Sequence, residues 1–387
     1  MTSRLSPREI QEKLISFPTV SRDTNIPLID WVQSYLEEHG ATCIRHHHES
    51  EPKAGLWAFV GPAEEDGVVL SGHTDVVPVD GQEWSSDPFT VTERDGKLFG
   101  RGTADMKTFD AMAVWALAEA SSKALTKPLH LAFTYDEEIG LLGAEPLLDD
   151  CLPQVPKPAV AIIGEPTEMK VVAGHKAGVA FDTVVNGFEV HSSIAYRGVS
   201  AVMEAAKLVD WGNQVNAANA AKEATGTDAM FDPPWTNAHV GTIEGGTAHN
   251  ITAKTCRFVM SFRCIPSESP EIYAEAYETE VRRVEASMQA IRPETSITVT
   301  RMFSSKGLTP EIDGKADALA RKLTGDNGSH VVSYGTEAGY FQARGISAVV
   351  CGPGNIEQAH QPDEFITLEE FDRGHAFMRH LIAELEV

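Results

Sequence analysis

Four short apolar stretches of this 387-residue chain each run into a segment rich in glycine, histidine or acidic residues. They span residues 68–71, 129–135, 159–163 and 347–351, and their β-branched and aromatic residues predict buried strands. Residues 111–120 predict a helix between the first two strands. This alternation is typical of an α/β domain in which helices flank a mixed, mostly parallel sheet. Because ligands bind beyond the carboxyl ends of the strands in such sheets, we expect the four segments to form one site.

Side chains that can bind a metal ion follow each of the four predicted strands, and one more aspartate lies in a glycine-rich loop before the helix. In chain order they are His73, Asp75, Asp105, Glu137, Glu138, Glu165 and His360. Any one of them alone is most often a solvated loop residue or a helix cap. The prediction of a metal site therefore depends on their joint position at one edge of the sheet.

The donor set suits zinc, because zinc binds imidazole nitrogen and carboxylate oxygen. The candidate ligands are His73, Asp105, Glu138, Glu165 and His360. Two zinc ions about 3.5–4 Å apart need a bridging ligand, and a carboxylate can donate one oxygen to each ion. Asp75 is spaced to accept a hydrogen bond from the second ring nitrogen of His73. Glu137 stands beside a candidate ligand and is free to take a proton from a metal-bound water.

The segments that carry these residues resemble, in order and spacing over nearly the whole chain, the signatures of the M20 family of zinc aminoacylases and exopeptidases. They are residues 71–78 (SGHTDVVP), 100–107 (GRGTADMK), 134–138 (TYDEE), 164–167 (GEPT) and the final His360. The resemblance implies two zinc ions per subunit, for which cobalt or manganese could substitute. It implies that Asp105 bridges them, that His73 and Glu165 complete one site, and that Glu138 and His360 complete the other. Glu137 would be the general base, with Asp75 behind His73.

Residues 178–290 show a different pattern, which predicts a small α+β domain inserted into the first. The predicted elements are strands at 179–185, 239–243 and 255–263 and helices at 199–218 and 271–290. Residues 1–177 and 291–387 would then form the zinc-binding catalytic domain. The resemblance implies that the inserted domain is a lid that usually dimerises, so we expect a homodimer.

Three residues of the inserted domain resemble family residues that act on the substrate. His191 matches the lid histidine that helps to stabilise the tetrahedral oxyanion, commonly across the dimer. Asn250 resembles the lid asparagine near the substrate carboxylate. Arg263 resembles a binder of that carboxylate, since a guanidinium fork suits the group.

The C-terminal third resembles one branch of the family, the acetylornithine deacetylases of arginine biosynthesis, at residues 334–339 (YGTEAG) and 351–364 (CGPGNIEQAHQPDE). This implies hydrolysis of N2-acetyl-L-ornithine to L-ornithine and acetate. Glu337 could meet the free amine of the substrate, and Gly352 and Gly354 would let the backbone approach it closely. The alternatives are another deacylase or dipeptidase of the family, including succinyl-diaminopimelate desuccinylase, and a non-catalytic metal-binding protein.

The charge balance narrows the range of partners. The formal net charge of −24, from 32 basic and 56 acidic side chains, argues against nucleic acid as a ligand. No apolar run approaches the roughly 20 residues that cross a membrane, and the first residues do not form a signal peptide. The five scattered cysteines indicate reduced thiols. We therefore expect a cytoplasmic enzyme with no membrane partner that acts on a small N-acyl amino acid.

Overall fold

The computed structural model describes residues 4–64 and 66–386, so Met1–Ser3, Glu65 and Val387 of the predicted catalytic domain lie outside the described residues. The helices are α1 (Pro7–Ile15), α2 (Ile26–Glu38), α3 (Lys107–Ala120), α4 (Ala144–Cys151), α5 (Ala201–Ala220), α6 (Pro270–Gln289), α7 (Lys315–Thr324), α8 (Ala338–Gln342) and α9 (Leu368–Leu385). None of the helices in the described ranges is both long and apolar enough to cross a membrane.

The strands are β1 (Thr42–His47), β2 (Ala54–Val60), β3 (Gly67–His73), β4 (Thr92–Arg94), β5 (Lys97–Phe99), β6 (Leu129–Thr134), β7 (Pro158–Pro166), β8 (Val172–His175), β9 (Ala177–Asn186), β10 (Asn237–Gly245), β11 (Thr255–Cys264), β12 (Ser296–Ser305), β13 (His330–Val332), β14 (Ser347–Gly352) and β15 (Phe365–Thr367). The four strands predicted from apolar stretches are β3, β6, β7 and β14, and all four are confirmed.

The first of two compact units comprises Met1–Gly174, Pro310–His330 and Thr336–Val387. Within this unit, the main sheet has the strand order β1-β2-β6-β3-β7-β14-β8. The neighbours β6, β3, β7 and β14 run parallel, whereas β1 and β2 add an antiparallel edge. The sheet is thus mixed with a parallel centre, as predicted. Four parallel neighbours bring four strand ends to the same edge.

The parallel centre is buried because helices cover it. Every residue of β3 and β6 is buried, which is typical of parallel strands with both faces covered. The alanine-rich helix α3 is buried on nearly all sides, and it packs against α1, α9, β3 and β6. Rigid strands in a packed core can therefore hold side chains at the sheet edge in fixed positions.

The second unit comprises His175–Thr309 and Val331–Gly335. Its antiparallel sheet has the order β10-β11-β9-β12, and α5 and α6 pack against it. Burial alternates along β11, as expected for a sheet with one covered face. This is the predicted α+β arrangement.

The predicted limits of the second unit, 178–290, need correction at the C-terminal side. Strand β12 pairs with β9 from Ser296 to Ser305, so the segment up to Thr309 belongs to this unit and not to the catalytic domain. Residues Val331–Gly335 also belong to it. The hydrogen-bonded ladder of β12, which the sequence analysis did not identify as a strand, is the physical reason.

Candidate metal centre

The candidate ligands of the first unit meet at the carboxyl ends of the parallel strands. His73 ends β3 and is paired in register with Thr134, which ends β6 and precedes Glu137 and Glu138. Glu165 lies near the end of β7, next to β14. The expectation of one shared sheet edge is confirmed.

Asp105 lies between the two histidines. Its Oδ1 is 3.0 Å from Nε2 of His73, and its Oδ2 is 3.3 Å from Nε2 of His360. The carboxylate is buried. The two distances show that it presents one oxygen to each imidazole. A ligand that bridges two metal ions needs this placement, because each oxygen then serves a different ion.

The remaining carboxylates divide between the two histidines. Glu165 Oε1 and Glu137 Oε2 lie 3.8 Å and 4.0 Å from Nε2 of His73, and Glu138 Oε2 lies 3.1 Å from Nε2 of His360. Ligand atoms within 4.8 Å of one another come from His73, Glu137 and Glu165, and also from His73, Asp105 and Glu138. By distance, Glu137 is therefore itself a possible metal ligand.

The electrostatics of the cluster favour a cation. Burial, together with the charges of Asp105 and Glu137, raises the pKa of Glu165 well above its usual value. Hydrogen bonds to Asp105 and Glu138 raise the pKa of His360 to about 10. Four crowded carboxylates face only two imidazoles, so a divalent cation would relieve their repulsion. Imidazole nitrogen and carboxylate oxygen are also a donor set that zinc accepts, so the residues fit the metal.

Asp75 lies beside the ring of His73, but the shorter contact is made by its main chain and not by the carboxylate as predicted. Nδ1 of His73 is 2.9 Å from the main-chain oxygen of Asp75, whereas the Asp75 carboxylate is 3.6 Å away. That carboxylate accepts hydrogen bonds from the Ser21 hydroxyl (2.7 Å) and from the N–H groups of Glu137 (3.2 Å) and Glu138 (3.3 Å). Asp75 thus fixes the turn after β6, while its backbone fixes the histidine.

A buried ion pair that the sequence analysis missed supports the same turn. Nζ of Lys53 lies 2.8 Å and 2.9 Å from the two carboxylate oxygens of Asp136, and both side chains are 5% exposed. Asp136 has φ of +57°, in the left-handed region. It belongs to the acidic run after β6, but Lys53 precedes β2 in a stretch that carries no motif.

Glu337, Gly352 and Gly354, the predicted substrate contacts, each have an internal role in the fold. Glu337 is 1% exposed and accepts hydrogen bonds from Thr134 (2.5 Å) and Ser71 (3.4 Å), and burial raises its pKa to about 7. A Cβ at position 352 would lie 2.0 Å from the Gly164 oxygen, so Gly352 permits β14 to pack on β7. Gly354 has φ of +93°, which a turn requires.

The three candidates of the second unit do not gather at one place. The main chain of His191 bridges to Ile251, and Ser192 N–H donates to Asn250 O at 2.8 Å, so His191 and Asn250 are neighbours. The His191 ring is exposed, with Nδ1 2.9 Å from the Ser193 hydroxyl. Arg263 pairs with Asn237 at the opposite end of the β10–β11 ladder from the loop with Asn250. Within this unit, His191 and Asn250 therefore lie close together, and Arg263 lies apart from them.

Comparison with known proteins agrees with this architecture. Residues 69–384 match the peptidase family M20/M25/M40. The chain is 34% identical over 379 residues to an acetylornithine deacetylase of Myxococcus xanthus, covering 96% of this chain and 95% of that protein. An M20 family metallo-carboxypeptidase from Sulfolobus solfataricus superposes with a TM-score of 0.80 at 14% identity, over 98% of both chains. A dinuclear metal-binding peptidase of Bacillus subtilis superposes with a TM-score of 0.59 at 14% identity, over 98% and 97%. At these identities, the two solved structures establish the fold.

Proposed function

The chain belongs to peptidase family M20/M25/M40, and from this premise we propose that it is a zinc-dependent amidohydrolase that removes the acetyl group of N2-acetyl-L-ornithine. The observation that carries the metal-dependent chemistry is the Asp105 carboxylate, with one oxygen toward each histidine. The substrate is supported by the similarity to the Myxococcus xanthus enzyme over nearly the full length of both chains. Release of L-ornithine and acetate would be a step of arginine biosynthesis in the cytoplasm.

We assign the ligands to two positions. His73, Asp105 and Glu165 would hold one zinc ion at the first metal site. Asp105, Glu138 and His360 would hold the other at the second metal site; cobalt or manganese also accepts these donors. When bound, a zinc pair lowers the pKa of water at the site to about 7 and so supplies hydroxide near neutral pH.

Glu137 is the proposed general base. It adjoins His73, and the Asp75 carboxylate holds its N–H, whereas its neighbour Glu138 is engaged by His360. Glu137 takes the proton of the attacking water and returns it to the leaving amine. We also propose that the protein forms a homodimer, in which His191 helps to stabilise the tetrahedral oxyanion.

A substrate panel tests the reaction. N2-acetylornithine, N-acetylmethionine, succinyl-diaminopimelate and a dipeptide are compared with added zinc, and again after chelation. We expect the highest kcat/KM for N2-acetylornithine, loss of turnover with the chelator and recovery with zinc. Preference for another substrate would overturn the substrate assignment. No zinc in the purified protein and no turnover of any amide would overturn the hydrolase itself.

Glu137→Gln separates catalysis from metal binding. Because the variant keeps the shape but loses the base, kcat should fall by about 10²–10⁴-fold while the zinc content stays unchanged. Glu12→Gln, on the exposed face of α1, is the matched control and should behave as wild type. Unchanged kcat in Glu137→Gln would exclude Glu137 as the base.

A further inference from the structure

A buried glutamate holds the loop that presents Asp105. Glu364 is 1% exposed, and its Oε1 accepts hydrogen bonds from the N–H groups of Gly102 (3.1 Å), Ala104 (2.8 Å) and Asp105 (3.1 Å). Its Oε2 accepts from Nη1 of Arg101 at 2.7 Å. Three amide groups of one loop thus converge on a single oxygen, which fixes the backbone of Asp105 directly.

The charge of Glu364 is balanced inside the protein. Arg101 is also 1% exposed, so the two ions are paired away from water. A buried ion pair is poorly suited to adding stability, because desolvation offsets the attraction. The ion pair instead contributes fixed geometry, since the guanidinium fork sets the direction of its hydrogen bonds as well as their distance.

Arg101 extends these contacts to the segment that carries His360. Its Nη2 donates to Oε1 of Gln82 at 2.6 Å, and Nε2 of Gln82 donates to the main-chain oxygen of His360 at 2.9 Å. Nη1 of Arg101 also reaches the main-chain oxygen of Gln361 at 3.4 Å. A continuous chain of hydrogen bonds therefore runs from the Asp105 loop to His360.

His360 needs such support more than the other ligands do. Its side chain is 49% exposed, and its φ of +64° lies in the left-handed region that non-glycine residues rarely adopt. It belongs to no helix or strand. Burial does not fix its position, so polar contacts must.

We propose that Glu364, Arg101 and Gln82 are positioning residues for the second metal site. They join the loop of Asp105 to the segment of His360 and thereby set the distance between these two ligands. Residues that orient metal ligands from behind typically change metal affinity about 10–100-fold when they are replaced. The inference rests on the proposed two-metal function.

Titration of the chelator-treated full-length protein with Co²⁺ tests the proposal, with visible absorption and metal analysis as readouts. Wild type should bind two ions per chain. In Glu364→Gln, the affinity of the second metal site should fall about 10–100-fold, and by more than the affinity of the first metal site. Gln82→Ala should lower the affinity of the second metal site by a smaller factor, because, of the hydrogen bonds to the two ligand-bearing segments, it removes only the one to the main chain of His360.

Asp363→Asn is the matched control, because Asp363 lies in the same segment but contacts Ser85 at the surface. It should leave both affinities unchanged. If Glu364→Gln does not fold, Gln82→Ala decides alone, since Gln82 is only partly buried. If the folded variants keep the wild-type affinity at the second metal site, the proposal is overturned while the two-metal function stands. Fewer than two ions bound by wild type would overturn the proposed function first.

Discussion

The two histidines of the metal centre lie in regions that hold them in different ways. The strand-end region consists of the residues at and directly after the ends of β3, β6 and β7, and it contains His73. The loop region consists of residues 353–364 after β14, and it contains His360. His73 is 1% exposed at the end of a fully buried strand, whereas His360 is 49% exposed outside regular structure.

Packing fixes the first region and hydrogen bonds fix the second. A Cβ at Gly72, beside His73, would lie 2.0 Å from Asp110 Oδ1, so that neighbourhood has no free space. His360 is linked instead to Gln82 and, through Arg101, to Glu364. Substitutions in the strand-end region should therefore reduce the stability of the fold. Substitutions in the loop region should chiefly reduce metal affinity.

The largest expected contrast comes from replacing the two histidines with alanine. His73→Ala removes the imidazole that faces buried Asp105 and Glu165, so the free energy of unfolding should fall by about 3–5 kcal/mol. His360→Ala should cost less, about 1–3 kcal/mol, because water can replace a side chain that is 49% exposed even though Asp105 and Glu138, which face it, are buried. Chemical denaturation in the presence of a chelator measures both. Equal losses would show that the two regions do not differ in this way.

Ion pairs give the second contrast. Lys53→Met leaves the buried Asp136 carboxylate without its cation and should lower the free energy of unfolding by about 3 kcal/mol. Arg94, whose guanidinium is 3.6 Å from Asp363 at the surface of the loop region, is the matched position. Arg94→Met should cost under about 1 kcal/mol, since exposed pairs contribute little. Chemical denaturation measures the free energy of unfolding of both variants. A loss near 3 kcal/mol in Arg94→Met would contradict the comparison.

The strand-end region could be predicted from sequence because its signal is local. Apolar residues identify β3, β6, β7 and β14, and the polar residue that follows each one must emerge at the shared edge. Strand β12 escaped prediction for a local reason too. Ile297 and Val299 alternate with polar residues, but the pairing register shifts between Arg301 and Phe303, which breaks the period of two.

The loop region could not be predicted from local patterns. His360 was a candidate only because it follows the fourth predicted strand and because of the family resemblance, since no periodic element contains it. Gln82, Arg101 and Glu364 lie far apart in the chain and meet only in the folded protein. The internal partners of Glu337 could not be predicted for the same reason, because the Ser71 and Thr134 side chains that donate to it come from other strands.

Two glycines give the smallest contrast. A Cβ at Gly164 would lie 2.0–2.3 Å from ring atoms of Phe109, so Gly164→Ala should cost about 2–3 kcal/mol by overpacking and should displace Glu165. At Gly354 in the loop region, the atom nearest to a new Cβ is Ala104 Cα at 3.4 Å, which is an ordinary contact, so the cost comes from φ of +93°. Gly354→Ala should therefore lose about 1 kcal/mol. Denaturation midpoints together with zinc content check both variants. A larger loss in Gly354→Ala would mean that steric packing also controls the loop region.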